Sequence, residues 1–265
     1  MKRTILSVSL LVFVIAACTP QPQVSQSDIA TKVALLKGTT NPPAVPDNNG
    51  VIQATIQTAA PQQLTATATA TATPTVQPSD PIAFLGAPTW RDTFSGTKNF
   101  YTTSDENITF SYGADAFSMT ATNVNGWHSW SLGNKRIANF YLEATFKVGN
   151  CSGNDRYGLV FRAPNTSEGY FYGITCSGQF NLTRWDTMSQ LIEWKPAVPL
   201  KSGPNQSNRV GVMARGSELT LFINGTEVQK INNDRYNEGF FGFYIASNGT
   251  YGFNVLVEEV AYWNQ

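Results

Sequence analysis

The chain has 265 residues, 42% hydrophobic and 12% aromatic, with 18 basic and 18 acidic side chains in balance. The basic residues form neither a run nor a stripe, which argues against a nucleic-acid partner. Six tryptophans, three cysteines and one histidine are the scarce residues from which a site or a cross-link must be built.

In chain order, Lys2 and Arg3 precede an apolar run from Ile5 to Ala17, the layout of a secretory signal. The run is shorter than the roughly 20 residues a membrane span needs. Ala16 and Ala17 stand immediately before Cys18, and these small residues ahead of a cysteine resemble the lipobox of bacterial lipoproteins. That resemblance implies removal of residues 1–17 and acylation of Cys18. It also implies an extracytoplasmic protein anchored at the bacterial cell surface, because more than one acyl chain gives stable insertion. Loss of Lys2 and Arg3 with the signal leaves the mature chain slightly acidic.

From Thr19 to Pro81 there is no Phe, Trp or Tyr, and the centre is a Thr-Ala alternation from Thr65 to Thr73. Such a segment cannot bury enough apolar surface to offset chain entropy. Residues 18–81 therefore read as a disordered Thr/Ala/Pro/Gln-rich tether, with at most a short helix over Asp28 to Leu36. Its mean span as a flexible coil is about 45 Å.

Residues 82–265 carry every aromatic side chain of the mature protein and read as one folded domain, monomeric in expectation. Strands are predicted over Tyr141 to Val148, Arg156 to Arg162, Tyr170 to Thr175 and Phe180 to Trp185. Further strands follow over Arg209 to Ala214, Glu218 to Ile223, Glu227 to Ile231, Gly239 to Ala246 and Phe253 to Tyr262. Most are short, rich in β-branched and aromatic residues and bounded by Gly, Asn, Asp or Ser. Asn224-Gly225 between two of them is a hairpin signal, since a type I′ turn needs φ > 0 at both central positions. No long helical period is present, so the fold class is all-β, an antiparallel sandwich. With Cys18 acylated, Cys151 and Cys176 remain to pair as a disulfide in an exported domain.

A wider resemblance follows from these strands. Gly158 to Arg162 with Gly169 to Tyr172, the hairpin Asn208 to Gly225, and Gly239 to Tyr244 with the closing strand resemble the concanavalin A-like jelly roll. The same layout occurs in laminin G-like and keto-disaccharide hydrolase-like domains. The resemblance covers most of residues 88–265 and implies a fold more firmly than a function.

Alternation puts Tyr157, Leu159, Phe161, Tyr170, Tyr172, Phe180 and Leu182 in the core. Arg162, Phe171, Asn181, Thr183 and Trp185 then face outward from neighbouring strands. Trp127 and Trp130 sit near a strand edge and extend that row. Trp185 offers a flat apolar platform for a sugar ring, with Arg162 and Asn181 to bind hydroxyls. A glycosidase places two carboxylates across the scissile bond, and no suitably spaced pair is present: Glu258 and Glu259 are adjacent and point to opposite faces. His128 alone cannot build a zinc site and reads as a surface residue bonded locally. Calcium is conceivable through Asn154, Asp155 or Asp234, but no ligand ladder supports it. The expected function is non-catalytic glycan binding on a surface-anchored lipoprotein, without a cofactor. The alternatives are a glycoside hydrolase-like enzyme of the keto-disaccharide hydrolase type and a protein-interaction or sensing module.

Overall fold

The computed structural model describes residues 79–265. The signal 1–17, Cys18, most of the tether and the expected Asp28–Leu36 helix lie outside the described residues. Two antiparallel sheets pack face to face. The larger has the strand order β13 (Thr226–Asn232), β12 (Glu218–Ile223), β11 (Ser207–Arg215), β6 (Phe140–Val148), β15 (Phe253–Asn264), β4 (Phe117–Ala121), β3 (Ile108–Tyr112) and β2 (Thr103–Ser104), with β1 (Trp90–Asp92) also paired to β15. The smaller has the order β10 (Ser189–Pro196), β9 (Gln179–Arg184), β8 (Glu168–Thr175), β7 (Arg156–Asn165), β14 (Gly239–Ala246) and β5 (Ser129–Ile137). The architecture is the antiparallel sandwich that the strand pattern predicted, with the jelly-roll layout that the resemblance implied.

Strands β6 to β9 and β11 to β15 fall where branched and aromatic residues placed them. The pattern marks no strand for β1 to β5 or β10. β1 to β4 are short, β5 is interrupted by Gly133, Asn134, Lys135 and Arg136, and β10 is broken by register shifts beside Ile192. At the β12–β13 hairpin, Asn224 has φ 51° and Gly225 φ 80°, the left-handed pair that a type I′ turn requires. Between the sheets, the inward residues of β6, β7, β8 and β14 join Phe94, Phe100 and Phe117 in one core. The Phe100 and Phe243 ring centroids are 4.7 Å apart. Cys151 and Cys176 form a disulfide with Cα atoms 5.9 Å apart, tying the end of β6 to the end of β8.

One expectation about the core is corrected. On β7, Val160 pairs with Gly242 and Ala163 with Phe240. Phe161 and Arg162 thus face Phe241 alone, which is a β-bulge. Arg162 takes φ 47° there and its side chain is fully buried. Its Nη1 donates to Gly216 O at 2.7 Å, and its Nε and Nη2 donate to Ala138 O at 3.0 and 2.8 Å. The guanidinium joins the β5–β6 and β11–β12 turns and is not a sugar ligand. The extra residue reverses the two-residue alternation on which its outward placement rested.

The outer face of the larger sheet is capped by the segment leading into the domain. Asp80 and Pro81, which the composition assigned to the tether, are buried. A short helix, α1 (Ile82–Leu85), packs Ile82 and Leu85 on Tyr141, Phe222 and Trp263. Trp263 Nε1 donates to Gly86 O at 2.9 Å. Beneath this cap, Tyr141 Oη donates to Glu143 Oε2 at 2.6 Å, and Arg209 pairs with both Glu143 and Asp80. Burial pushes the Glu143 carboxyl above the usual range, and the Arg209 charge opposes that shift.

Candidate functional site

The outer face of the smaller sheet is open. By the pleat, residues that do not enter the core project there: Val160 and Ala163 of β7, Phe171 of β8 and Tyr244 of β14 form a second apolar cluster, joined by Trp130, Leu132, Trp185 and Phe240. Trp185 stacks at 5.0 Å and 35° on Phe171, and Trp130 meets both edge-on at 5.3 and 5.6 Å. Trp130 is held by its Nε1–H, which donates to Thr166 O at 3.0 Å. The Trp185 backbone N–H donates to Gly169 O at 2.8 Å.

Beside Trp185 lies a hollow of about 160 Å³ lined by His128, Arg156, Phe171, Asn181, Thr183, Trp185, Met188, Gln190, Trp194 and Tyr244. The structure therefore brings Phe171, Asn181, Thr183 and Trp185 together, as alternation on β8 and β9 places them. Phe171 is buried and supports Trp185 from below. Trp127 is 59% exposed and lines a shallower, adjoining hollow with Trp130, Trp185, Arg156 and Met188. On the far side of Trp130, a third hollow of about 370 Å³ is lined by Tyr101, Leu132, Gly133, Thr166 and Phe240. The first two hollows share His128, Arg156, Trp185 and Met188, and the second and third share Trp130.

The floor beside Trp185 is polar and incompletely paired. Asn181 is 4% exposed. Its Nδ2 donates to Thr183 Oγ1 at 3.0 Å, while its buried Oδ1 has no protein partner. Arg156 Nε donates to His128 Nε2 at 2.9 Å. Accepting that bond makes Nε2 the unprotonated nitrogen, so the neutral ring carries its proton on Nδ1. That Nδ1 is also buried without a partner. Burial, then the Arg156 charge, lowers the His128 pKa to about 4. Burial pushes the Tyr244 hydroxyl up, so it too stays neutral. Buried polar atoms in native proteins nearly always find partners, and two orphans in one hollow mark where a ligand or ordered water belongs.

Gly173 makes the floor possible. A Cβ there would collide with Tyr244 Oη and approach Asn181 Oδ1 to 2.7 Å.

The other six residues lining the hollow beside Trp185 were accessible only in part to sequence reasoning. Arg156 and Tyr244 lie on the outward parity of β7 and β14, so extending the alternation would have found them. His128 and Met188 sit outside the strands, where no period applies, and Gln190 and Trp194 lie at the two register shifts of β10. Asp155, a conceivable calcium ligand, instead accepts from Ser152 N, Ser247 Oγ and Asn248 N at 2.8, 3.1 and 2.7 Å. Asp234 is exposed.

Comparisons with known proteins agree with this architecture. The chain resembles carbohydrate binding module CBM66 from Bacillus subtilis at 14% identity and TM-score 0.51, over 63% of this chain and 96% of that one. It resembles a Bacillus subtilis protein with a galectin-like fold at 12% identity and TM-score 0.53, over 68% and 96%. A Bacteroides ovatus mixed-linkage glucan GH16 protein, solved with a G4G4G3G product, matches at 12% identity and TM-score 0.50, over 65% and 99%. At these identities the likeness is one of fold. No curated protein matches the sequence. A family model described as the 3-keto-alpha-glucoside-1,2-lyase-like domain matches residues 89–262, and on that match, across the whole sandwich, the chain belongs to this family.

Proposed function

We propose that the domain binds a glycan on the outer face of the smaller sheet without cleaving it, carried outside the cell on an acylated Cys18. The observation that supports this reading most is the pairing of an aromatic wall with orphaned polar atoms in one hollow. A sugar ring has apolar C–H faces and polar hydroxyl edges, and it suits Trp185 on one side and Asn181, His128 and Tyr244 on the other. Among the described residues no carboxylate lines this hollow or its two neighbours, whereas a glycosidase sets two across the scissile bond. The fold shared with a carbohydrate binding module and the family match support the same ligand class.

The test is retention of the full chain on a glycan array, beside Trp185→Ala and Asn181→Ala. Both variants lose retention of a sugar the parent holds, with near-ultraviolet circular dichroism intact. Unchanged retention by both would remove the site. Metabolic labelling with a radioactive fatty acid tests the anchor: label enters the parent and not Cys18→Ala.

A second reading is a lyase acting on a 3-keto-glucoside, favoured by the neutral His128 in the same hollow and by the family's description. A base would take the proton from C2, a C1=C2 double bond would form, and the C1–O bond would break, releasing the aglycone as its alcohol. The geometry weighs against it. His128 Nε2 is occupied by Arg156, and the lowered pKa makes the ring a weak base, whereas efficient bases titrate near the working pH. Proton NMR of a 3-keto-glucoside incubated with the protein decides: aglycone release that His128→Asn abolishes would install the lyase in place of the binder.

A further inference from the structure

Arg156 stands apart from the other arginines of the domain. Arg91, Arg136, Arg184, Arg209 and Arg235 each face a carboxylate. Arg162 is sealed by backbone carbonyls, and Arg215 donates to Gln265 at the surface. Arg156 is half-buried, with Nε on His128 and Nη2 in a long contact of 3.4 Å to Gly126 O. Among the described residues no carboxylate pairs with it. The neighbouring Asp155 carboxylate turns away to Ser152, Ser247 and Asn248. Glu193 sits beside the Gln190 amide.

The donor count of the hollow leads the same way. Arg156 Nη1 and His128 Nδ1–H can only donate, against one buried group that can only accept, Asn181 Oδ1, while the Tyr244 and Thr183 hydroxyls can do either. A neutral sugar hydroxyl donates and accepts about equally. A carboxylate or sulfate only accepts, and a guanidinium meets such a group with parallel N–H bonds. A half-buried guanidinium that no carboxylate of the described chain answers is free to receive such a group.

We infer that the glycan is acidic, with the carboxylate or sulfate of one residue received by Arg156 while its ring, or the next, lies against Trp185. This rests on the glycan-binding reading and narrows it to a substrate class.

The experiment uses the full chain in detergent against four immobilised polymers: polygalacturonate, its carboxyl-reduced form, dextran sulfate and unmodified dextran. Retention on polygalacturonate or dextran sulfate and not on its uncharged counterpart supports the inference, and the pair that responds says which anion is read. That retention falls about tenfold or more in Arg156→Gln, as expected for a charge-assisted bond. It also weakens near 1 M salt, where the screening length is about 3 Å. The comparison between each anionic polymer and its uncharged counterpart needs no variant, so it holds even where Arg156→Gln fails to fold. Equal retention within both pairs, unmoved by salt, overturns the acidic ligand while leaving the glycan reading in place. A parent that holds none of these four polymers and no sugar on the array overturns both.

Discussion

On the outer face of the larger sheet, Tyr141, Phe222 and Trp263 surround Glu143 and Arg209, and the chain's own Asp80 and α1 close over them. On the outer face of the smaller sheet, Trp185, Phe171 and Trp130 surround Arg156, His128 and Asn181, and nothing from the described chain closes over them. The two faces are built from the same residue types: aromatics, an arginine and a tyrosine. The capped face answers its arginine with two internal carboxylates. The open face has an unpaired guanidinium and two orphaned polar atoms. Residue type alone therefore does not distinguish a structural cluster from a binding one; whether a carboxylate of the chain answers the arginine does.

The comparison breaks most sharply at Arg209. Arg209→Ala strands the Glu143 and Asp80 carboxylates under the cap and is expected to cost about 3 kcal/mol, as for a broken buried pair. Urea unfolding reads the loss, and glycan retention stays unchanged in whatever fraction remains folded. An effect below about 1 kcal/mol would mean the capped face is no more satisfied than the open one.

On the open face the sharper probe is pH. The unfolded chain protonates His128 near 6.5, its ordinary value, whereas the folded chain does so only at about 4. Stability present above 6.5 is thus lost as pH falls through that window and levels off below it. The whole shift corresponds to about 3 kcal/mol, and partial exposure of the ring reduces the expectation to about 2 kcal/mol. Urea midpoints at the two ends of the window, for the parent and His128→Phe, isolate this share; equal slopes would show that the ring is not desolvated.

Gly173→Ala places a methyl against Tyr244 Oη and Asn181 Oδ1. About 2 kcal/mol of destabilisation is expected from overpacking, together with loss of retention because the hollow is filled. Trp185→Ala has the smallest thermodynamic effect, about 1 kcal/mol, since the ring is half-exposed. It separates the faces best: retention disappears while the unfolding midpoint hardly moves. A large midpoint shift with retention preserved would make Trp185 a structural residue like Trp263.

Much of this was legible in the chain beforehand, and the exceptions have local causes. Phe171, Asn181, Thr183 and Trp185 share a face because β8 and β9 pair in continuous register from Tyr170 to Ile174. Arg162 failed because a single extra residue in β7 reverses the alternation, and nothing in Phe161-Arg162-Ala163 announces a bulge. Strands β2 to β4 were missed because Ser and Thr in a half-exposed strand look the same as they do in a loop. Asp80 was assigned to the tether because composition is averaged over a window, whereas its burial depends on meeting the distant Arg209 and Gly225.

The alternation of apolar and polar residues, the Asn224-Gly225 turn and the paired cysteines determined by themselves that this chain forms an antiparallel sandwich, because each acts through neighbours a few residues away or through average burial. The tertiary structure alone decided which arginine is buried, which is capped and which is left unpaired. Those outcomes depend on where a bulge falls and on which distant segment reaches a given face, and neither distance nor pairing across the sandwich is written in local periodicity.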